Sequence, residues 1–132
     1  MKSIQFTVIG TPVAKARPKV FFRGQKYPHA VTPKGTRQWE EMIRFQSIRH
    51  APPSPLMGPL KMYIIFNMPR PKTLPKKVLL HTKKPDVDNL VKSVNDALQG
   101  LFYKSDSQIC VLYATKRYTL MQPSVEITIE EI

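Results

Sequence analysis

The chain is short of thiol, of histidine and of acid, and each shortage narrows what it can do. Cys110 is the one cysteine in 132 residues, which excludes an internal disulfide framework. In the apolar run from Ile109 to Leu112 its thiol is expected to be buried and inert. His29, His50 and His81 are scattered, and with a single thiol they offer no zinc-ligand spacing. No stretch reaches the roughly eighteen apolar residues of a membrane span. The opening MKSIQFTVIG alternates as a strand does and lacks the apolar core of a signal peptide. These features predict a cytoplasmic protein whose residues 1–132 form one domain with one modest core.

Acid is the most telling shortage. Before Asp86 the chain carries seventeen Lys and Arg against two acids, the adjacent Glu40 and Glu41. All four aspartates, Asp86, Asp88, Asp96 and Asp106, then fall within 21 residues of a chain whose formal net charge is +12. That imbalance predicts a polyanionic partner, nucleic acid above all. A surface made basic only for solubility would mix both signs.

Periodicity sketches the scaffold. Residues 3–9 alternate, with Ile4, Phe6 and Val8 on one face of a first strand. In TPVAKARPK, Pro12 and Pro18 break regular structure, so Lys15, Arg17 and Lys19 project from a stiff loop towards phosphates. Residues 20–22 and 26–31 flank Arg23-Gly24-Gln25 as a short hairpin or loose loop. There Phe21, Phe22 and Tyr27 pack inward or stack on unpaired bases. Thr32-Pro33 opens a helix to about His50 that buries Trp39, Met42, Ile43 and either Phe45 or Ile48. APPSPLMGP is a rigid linker, and Leu60 to Met68 is the most apolar run and the expected central strand. Residues 69–85 then bring Arg70, Lys72, Lys76, Lys77, Lys83, Lys84 and His81 without one acid. Strands at 108–120 and 125–129 close the chain. The order describes an α+β domain with a mixed sheet and two main helices packed mainly on one face.

The stretch KPDVDNLVKSVNDALQG, residues 84–100, is where the aspartates gather. Pro85 pushes Lys84 into an extended conformation, and in extended chain residues two apart share a side, which puts Asp86 and Asp88 together. Asp88 is the expected N-cap of a helix from Asn89 to about Gln99, stopped by Gly100. Leu90, Val94, Ala97 and Leu98 form its apolar stripe, and Asp88, Lys92 and Asp96 share another face. Carboxylates held close repel unless a cation lies between them. Magnesium suits such hard oxygen donors and keeps waters that serve attack on a phosphodiester. The plainer alternative is that Asp88 caps, Asp86 supports the dipole and Asp96 pairs with Lys92 across one turn.

The run PDVDNLVKSVNDALQG, followed by SDSQI, resembles the signature of the RusA family of Holliday junction resolvases. That signature reads D-x-D-N-x-x-K-x-x-x-D-A-L and, after a short gap, D-D-x-Q-[IV]. The resemblance implies a structure-selective endodeoxyribonuclease that resolves four-way DNA junctions by paired nicks, with Mg2+, or Mn2+, as cofactor. It implies Asp86, Asp88, Lys92 and Asp106 as catalytic residues, with Asp86, Asp88 and Asp106 as metal ligands. The chain departs from the pattern at Ser105, where the first aspartate of the D-D pair often stands. The resemblance further implies a homodimer, since two nicks are needed and the chain holds one cluster, and a recombination or repair setting common in prophage. Lys15, Arg17, Lys19, Arg70, Lys72, Lys76, Lys83 and Lys84 are the expected DNA contacts. A metal-dependent nuclease for other branched nucleic acids and a basic DNA-binding module without catalysis are the alternatives.

Overall fold

Alternation in the sequence becomes a four-stranded sheet in the computed structural model, which describes residues 3–15, 19–21, 29–31 and 34–132. In chain order the strands are β1 (Ser3–Ile9), β2 (Lys19–Phe21), β3 (His29–Val31), β4 (Leu60–Pro69), β5 (Ile109–Thr119) and β6 (Ser124–Glu131). The helices are α1 (Lys34–Ser47) and α2 (Val87–Leu98). Single 3-10 turns, Ile48–His50 and Asp106–Gln108, follow α1 and precede β5.

The main sheet runs β1-β6-β4-β5. β6 is antiparallel to both β1 and β4, whereas β4 and β5 are parallel, so the sheet is mixed. Leu60 to Pro69 is an interior strand, as its hydrophobicity predicts. β2 and β3 pair as a separate antiparallel ribbon, Lys19 opposite Val31 and Phe21 opposite His29. The expected turn at Arg23-Gly24-Gln25, the aromatics Phe22 and Tyr27, the loop residue Arg17 and the helix start at Thr32-Pro33 lie outside the described residues.

One face of the sheet carries the core. Phe6 and Val8 of β1, Met62, Ile64, Phe66 and Met68 of β4, and Val125, Ile127 and Ile129 of β6 are all buried. Opposite them lie Trp39 and Ile43 of α1 and Leu90, Val91, Val94, Ala97 and Leu98 of α2. Burying a side chain of this size is worth about 1.5–3 kcal/mol each before ordering costs. Gly10 shows how tight the fit is. Its φ is +144°, and a Cβ there would lie 2.9 Å from both Met42 Cε and Trp39 Cζ3.

Three sequence expectations fail here, each for a positional reason. α1 buries Thr36, Trp39, Glu40, Ile43 and Ser47, a 3–4 spacing led by Trp39 and Ile43. Phe45 is two residues from Ile43, roughly opposite on the helix, and it is 83% exposed; Met42 and Ile48 are exposed too. Cys110 is exposed rather than buried: it lies on β5, an edge strand on which no side chain is fully buried. Helix α2 begins at Val87, and its N-cap is Asp86, not Asp88. The segment between α1 and β4 is pinned rather than merely stiff: Leu56 is buried, and its amide donates to the Phe102 carbonyl at 2.8 Å.

Candidate functional site

Helix α2 presents the motif in two ways. Its stripe of Leu90, Val94, Ala97 and Leu98 anchors it to the sheet, leaving Asp86, Asp88 and Lys92 exposed. Asp86 stands just before the helix with extended backbone (φ −71°, ψ 146°), and its side chain makes no capping hydrogen bond. Asp88 lies in the first turn, where the helix dipole favours a negative charge. The strand-like alternation expected of the two carboxylates is therefore absent. Both nevertheless line one open cleft of about 740 Å³ with Ala14, Lys15, Lys84, Pro85 and Asn89. Lys84 Nζ lies 3.1 Å from Asp86 Oδ2, an ion pair in open solvent.

Asp106 arrives from the other end of α2. Gly100, with φ +91°, donates its amide to the Tyr103 carbonyl, and the chain turns back. The Asp106 amide donates to Gln99 Oε1 at 3.0 Å, and the carboxylate comes within 3.7 Å of Lys92 Nζ. Ser105, at the departure from the family pattern, has a structural duty. Its hydroxyl accepts from the Ser107 amide while its own amide donates to Gln108 Oε1 at 2.9 Å. Gln108 Nε2 donates in turn to the carbonyls of Leu56 and Gly58, both at 2.9 Å. The serine and glutamine thus fasten the Asp106 turn to the body of the protein.

The structure groups the expected catalytic residues as two pairs. Asp86 and Asp88 share the cleft, and Lys92 meets Asp106. Among the described residues, no three His, Cys, Asp or Glu side chains gather closely enough to form a ready-made metal cage. The donor chemistry of the cleft fits magnesium all the same, which usually takes one or two carboxylates and fills its remaining positions with water and phosphate oxygens.

The expected DNA contacts divide sharply. Lys15 is only 22% exposed and lies 3.1 Å from both Glu40 and Asp96. Burial pulls its pKa down, yet the hydrogen bonds and charges of Glu40 and Asp96 outweigh that, and the ammonium ends above the ordinary lysine value. Arg70 gives its guanidinium to the carbonyls of Pro75 and Val78, folding residues 70–78 into a compact turn. Lys72 and Lys76 line a 360 Å³ hollow beside Leu120 and Met121. Those two lysines and Lys83 are exposed, and no ion pair engages them among the described residues. Of Lys19 only the backbone is described.

Two residues escaped sequence reasoning. Lys116 on β5 donates to the carbonyls of Lys83 and Pro85, both at 2.6 Å, and so clamps the segment that delivers Asp86. Nothing in the local sequence signals this, because the partners are more than thirty residues away. Asp96 was legible only as a partner of Lys92, and its second bond, to Lys15, crosses the fold.

The family model described as endodeoxyribonuclease RusA matches residues 10–130. An uncharacterized protein of Bacillus subtilis strain 168, YqaN, is 37% identical over 142 aligned positions, which cover 100% of this chain and 99% of the relative.

Proposed function

This chain belongs to the RusA endodeoxyribonuclease family, and on that premise we propose that it is a magnesium-dependent resolvase of four-way DNA junctions. The observation that carries the reading is the pairing of Asp86 and Asp88 on one solvent-open cleft of an otherwise strongly basic chain. Asp86 and Asp88 would hold the cation, with Asp106 as third carboxylate, and manganese could replace magnesium. Bound magnesium would supply an activated water and neutralise charge on the phosphodiester under attack.

The chain's own groups do the rest. Lys84, paired with Asp86 in open solvent, is exposed enough to reach a phosphate of bound DNA. Lys92 keeps an ammonium beside Asp106, where it can offset the charge that grows on the reacting phosphate. Lys72, Lys76 and Lys83 attract and orient the DNA backbone. Two nicks per junction call for two sites, so the working unit is a homodimer, and recombination or repair in the cytoplasm, in a prophage setting, is the context.

The test is nicking of a synthetic four-way junction beside a linear duplex of equal length, with Mg2+ and with EDTA, by wild type and Asp86→Asn. Symmetric cuts in the junction alone that require Mg2+ and vanish in the variant are the expected result. Equal cutting of flaps or forks would reassign the substrate. Tight junction binding without any cutting in Mg2+ or Mn2+ would overturn catalysis and leave a DNA-binding module.

A further inference from the structure

Asp96 is the one aspartate that the nuclease reading leaves without a task. It lies on α2 with its side chain 24% exposed, and each of its carboxylate oxygens engages a different lysine. Oδ2 is 3.1 Å from Lys15 Nζ, and Oδ1 is 3.2 Å from Lys92 Nζ. Lys15 continues to Glu40 Oε2 at 3.1 Å, and Lys92 continues to Asp106 Oδ2 at 3.7 Å. Five side chains of alternating sign, Glu40–Lys15–Asp96–Lys92–Asp106, thus run from the buried face of α1 to the edge of the site. The root of the chain is firm. Glu40 is only 9% exposed, the Lys15 amide donates to the Asn89 carbonyl at 2.9 Å, and Arg44 donates to the Asp96 carbonyl at 3.2 Å.

We propose that Asp96 is a positioning residue of the nuclease site, holding the Lys92 ammonium so that it flanks Asp106 without neutralising it. Lys92 is half exposed and on a flexible stem, and it stands nearer to Asp96 than to Asp106. Without Asp96, the remaining carboxylate close to that ammonium is Asp106. Lys92 would then collapse onto Asp106 and compete with a cation for its oxygens. Asp96 also fixes Lys15, which lines the Asp86 and Asp88 cleft, so one carboxylate registers a cation on each flank. This inference rests on the nuclease reading for its consequence and on geometry alone for its arrangement.

The arrangement is tested without catalysis, by nitrogen-15 NMR of the lysine ammonium groups at low temperature. In wild type, Lys15 and Lys92 should give slowly exchanging Nζ signals, and Asp96→Asn should shift both, as Lys92 moves onto Asp106 and Lys15 keeps only Glu40, while the backbone amide spectrum stays folded. Wild-type ammonium groups that exchange as freely as that of Lys72 would overturn the proposal.

The consequence is tested on the junction. Asp96→Asn should lower kcat roughly 10- to 100-fold, the scale of a misplaced catalytic group, with KM for the junction nearly unchanged and more Mg2+ needed for half-maximal rate. Asp96→Glu should restore part of the rate. In a Lys92→Met background, Asp96→Asn should cost less than about 3-fold more, because only the Lys15 contact, itself backed by Glu40, is left for Asp96 to hold. A full, undiminished loss in that background would overturn the proposal, as would wild-type kcat in Asp96→Asn. If wild type cuts no junction while the NMR signals behave as expected, the resolvase reading fails and the ammonium network stands.

Discussion

Two basic regions flank the aspartates, and they use their cations differently. On the α2 side, Lys15 and Lys92 each stand within 4 Å of a carboxylate, with Lys15 only 22% exposed, while Lys84 is paired but in open solvent. In residues 70–83, Lys72, Lys76, Lys77 and Lys83 have no carboxylate partner among the described residues, and Arg70 binds backbone carbonyls. A paired, half-buried cation is held in place and has little charge left for a distant polyanion. An unpaired cation in open solvent acts at the range of the Debye length, about 8–10 Å. The comparison teaches that the count of lysines near a site says little about how many meet DNA.

Substitutions can break this division from either side. The largest effect belongs to the cleft: Asp86→Asn or Asp88→Asn should lower Mg2+-dependent nicking by about 10³-fold or more. Junction binding in gel shift should hold or tighten once a negative charge is gone. Next comes the unpaired set. Replacing Lys72, Lys76 and Lys83 together by Gln should flatten the slope of log K against log salt by about one for each phosphate no longer neutralised. Fluorescence anisotropy over a salt series measures it, and an unchanged slope would remove this arm from the DNA path.

The paired set predicts the reverse. Lys15→Met leaves the buried Glu40 carboxylate with only Arg44, 4.0 Å away, and should cost about 1–3 kcal/mol in denaturant unfolding while leaving the salt slope nearly unchanged. A slope reduced by about one unit with full stability would place Lys15 among the DNA-binding groups instead.

The smallest effect concerns pH. Burial, aided by the Lys116 charge, pushes the His81 pKa below the ordinary histidine value, and its ring lies 4.8 Å from that of Tyr118. The folded state therefore binds a proton less readily than the unfolded chain. The His81 contribution is complete above the ordinary histidine pKa of about 6.5 and falls away as pH drops below it. The melting temperature of wild type should fall more between pH 7.5 and pH 5.5 than that of His81→Asn, and equal falls would show that His81 does not titrate there.

Much of this was readable in advance where the signal is local. The alternation of β1 and β6, the apolar β4, the stripe of α2 and the density of aspartates all reflect neighbours within a few residues. The inward face of α1 was half legible: Trp39 and Ile43 are buried as expected, but the polar Thr36, Glu40 and Ser47 join them, and Phe45 does not. Hydrophobicity cannot announce a buried Glu40, because what allows it is the ammonium of Lys15, 25 positions earlier. Cys110 misled for a similar reason, since an apolar run does not tell whether the rest of the fold covers its strand.

By itself, then, the amino-acid order determined a basic α+β chain, its helices and strands, and the identity of the acidic motif, because propensity, periodicity and motif spacing act over short range. Tertiary structure alone decided which cations are held and which are free. It placed Lys116 under the carbonyls of Lys83 and Pro85, joined Lys15 to Asp96, and made Ser105 and Gln108 the fastening of the Asp106 turn. Those partners are set by where separate elements meet, and charge–charge and hydrogen-bond energies depend on distances of a few ångströms that no one-dimensional pattern contains.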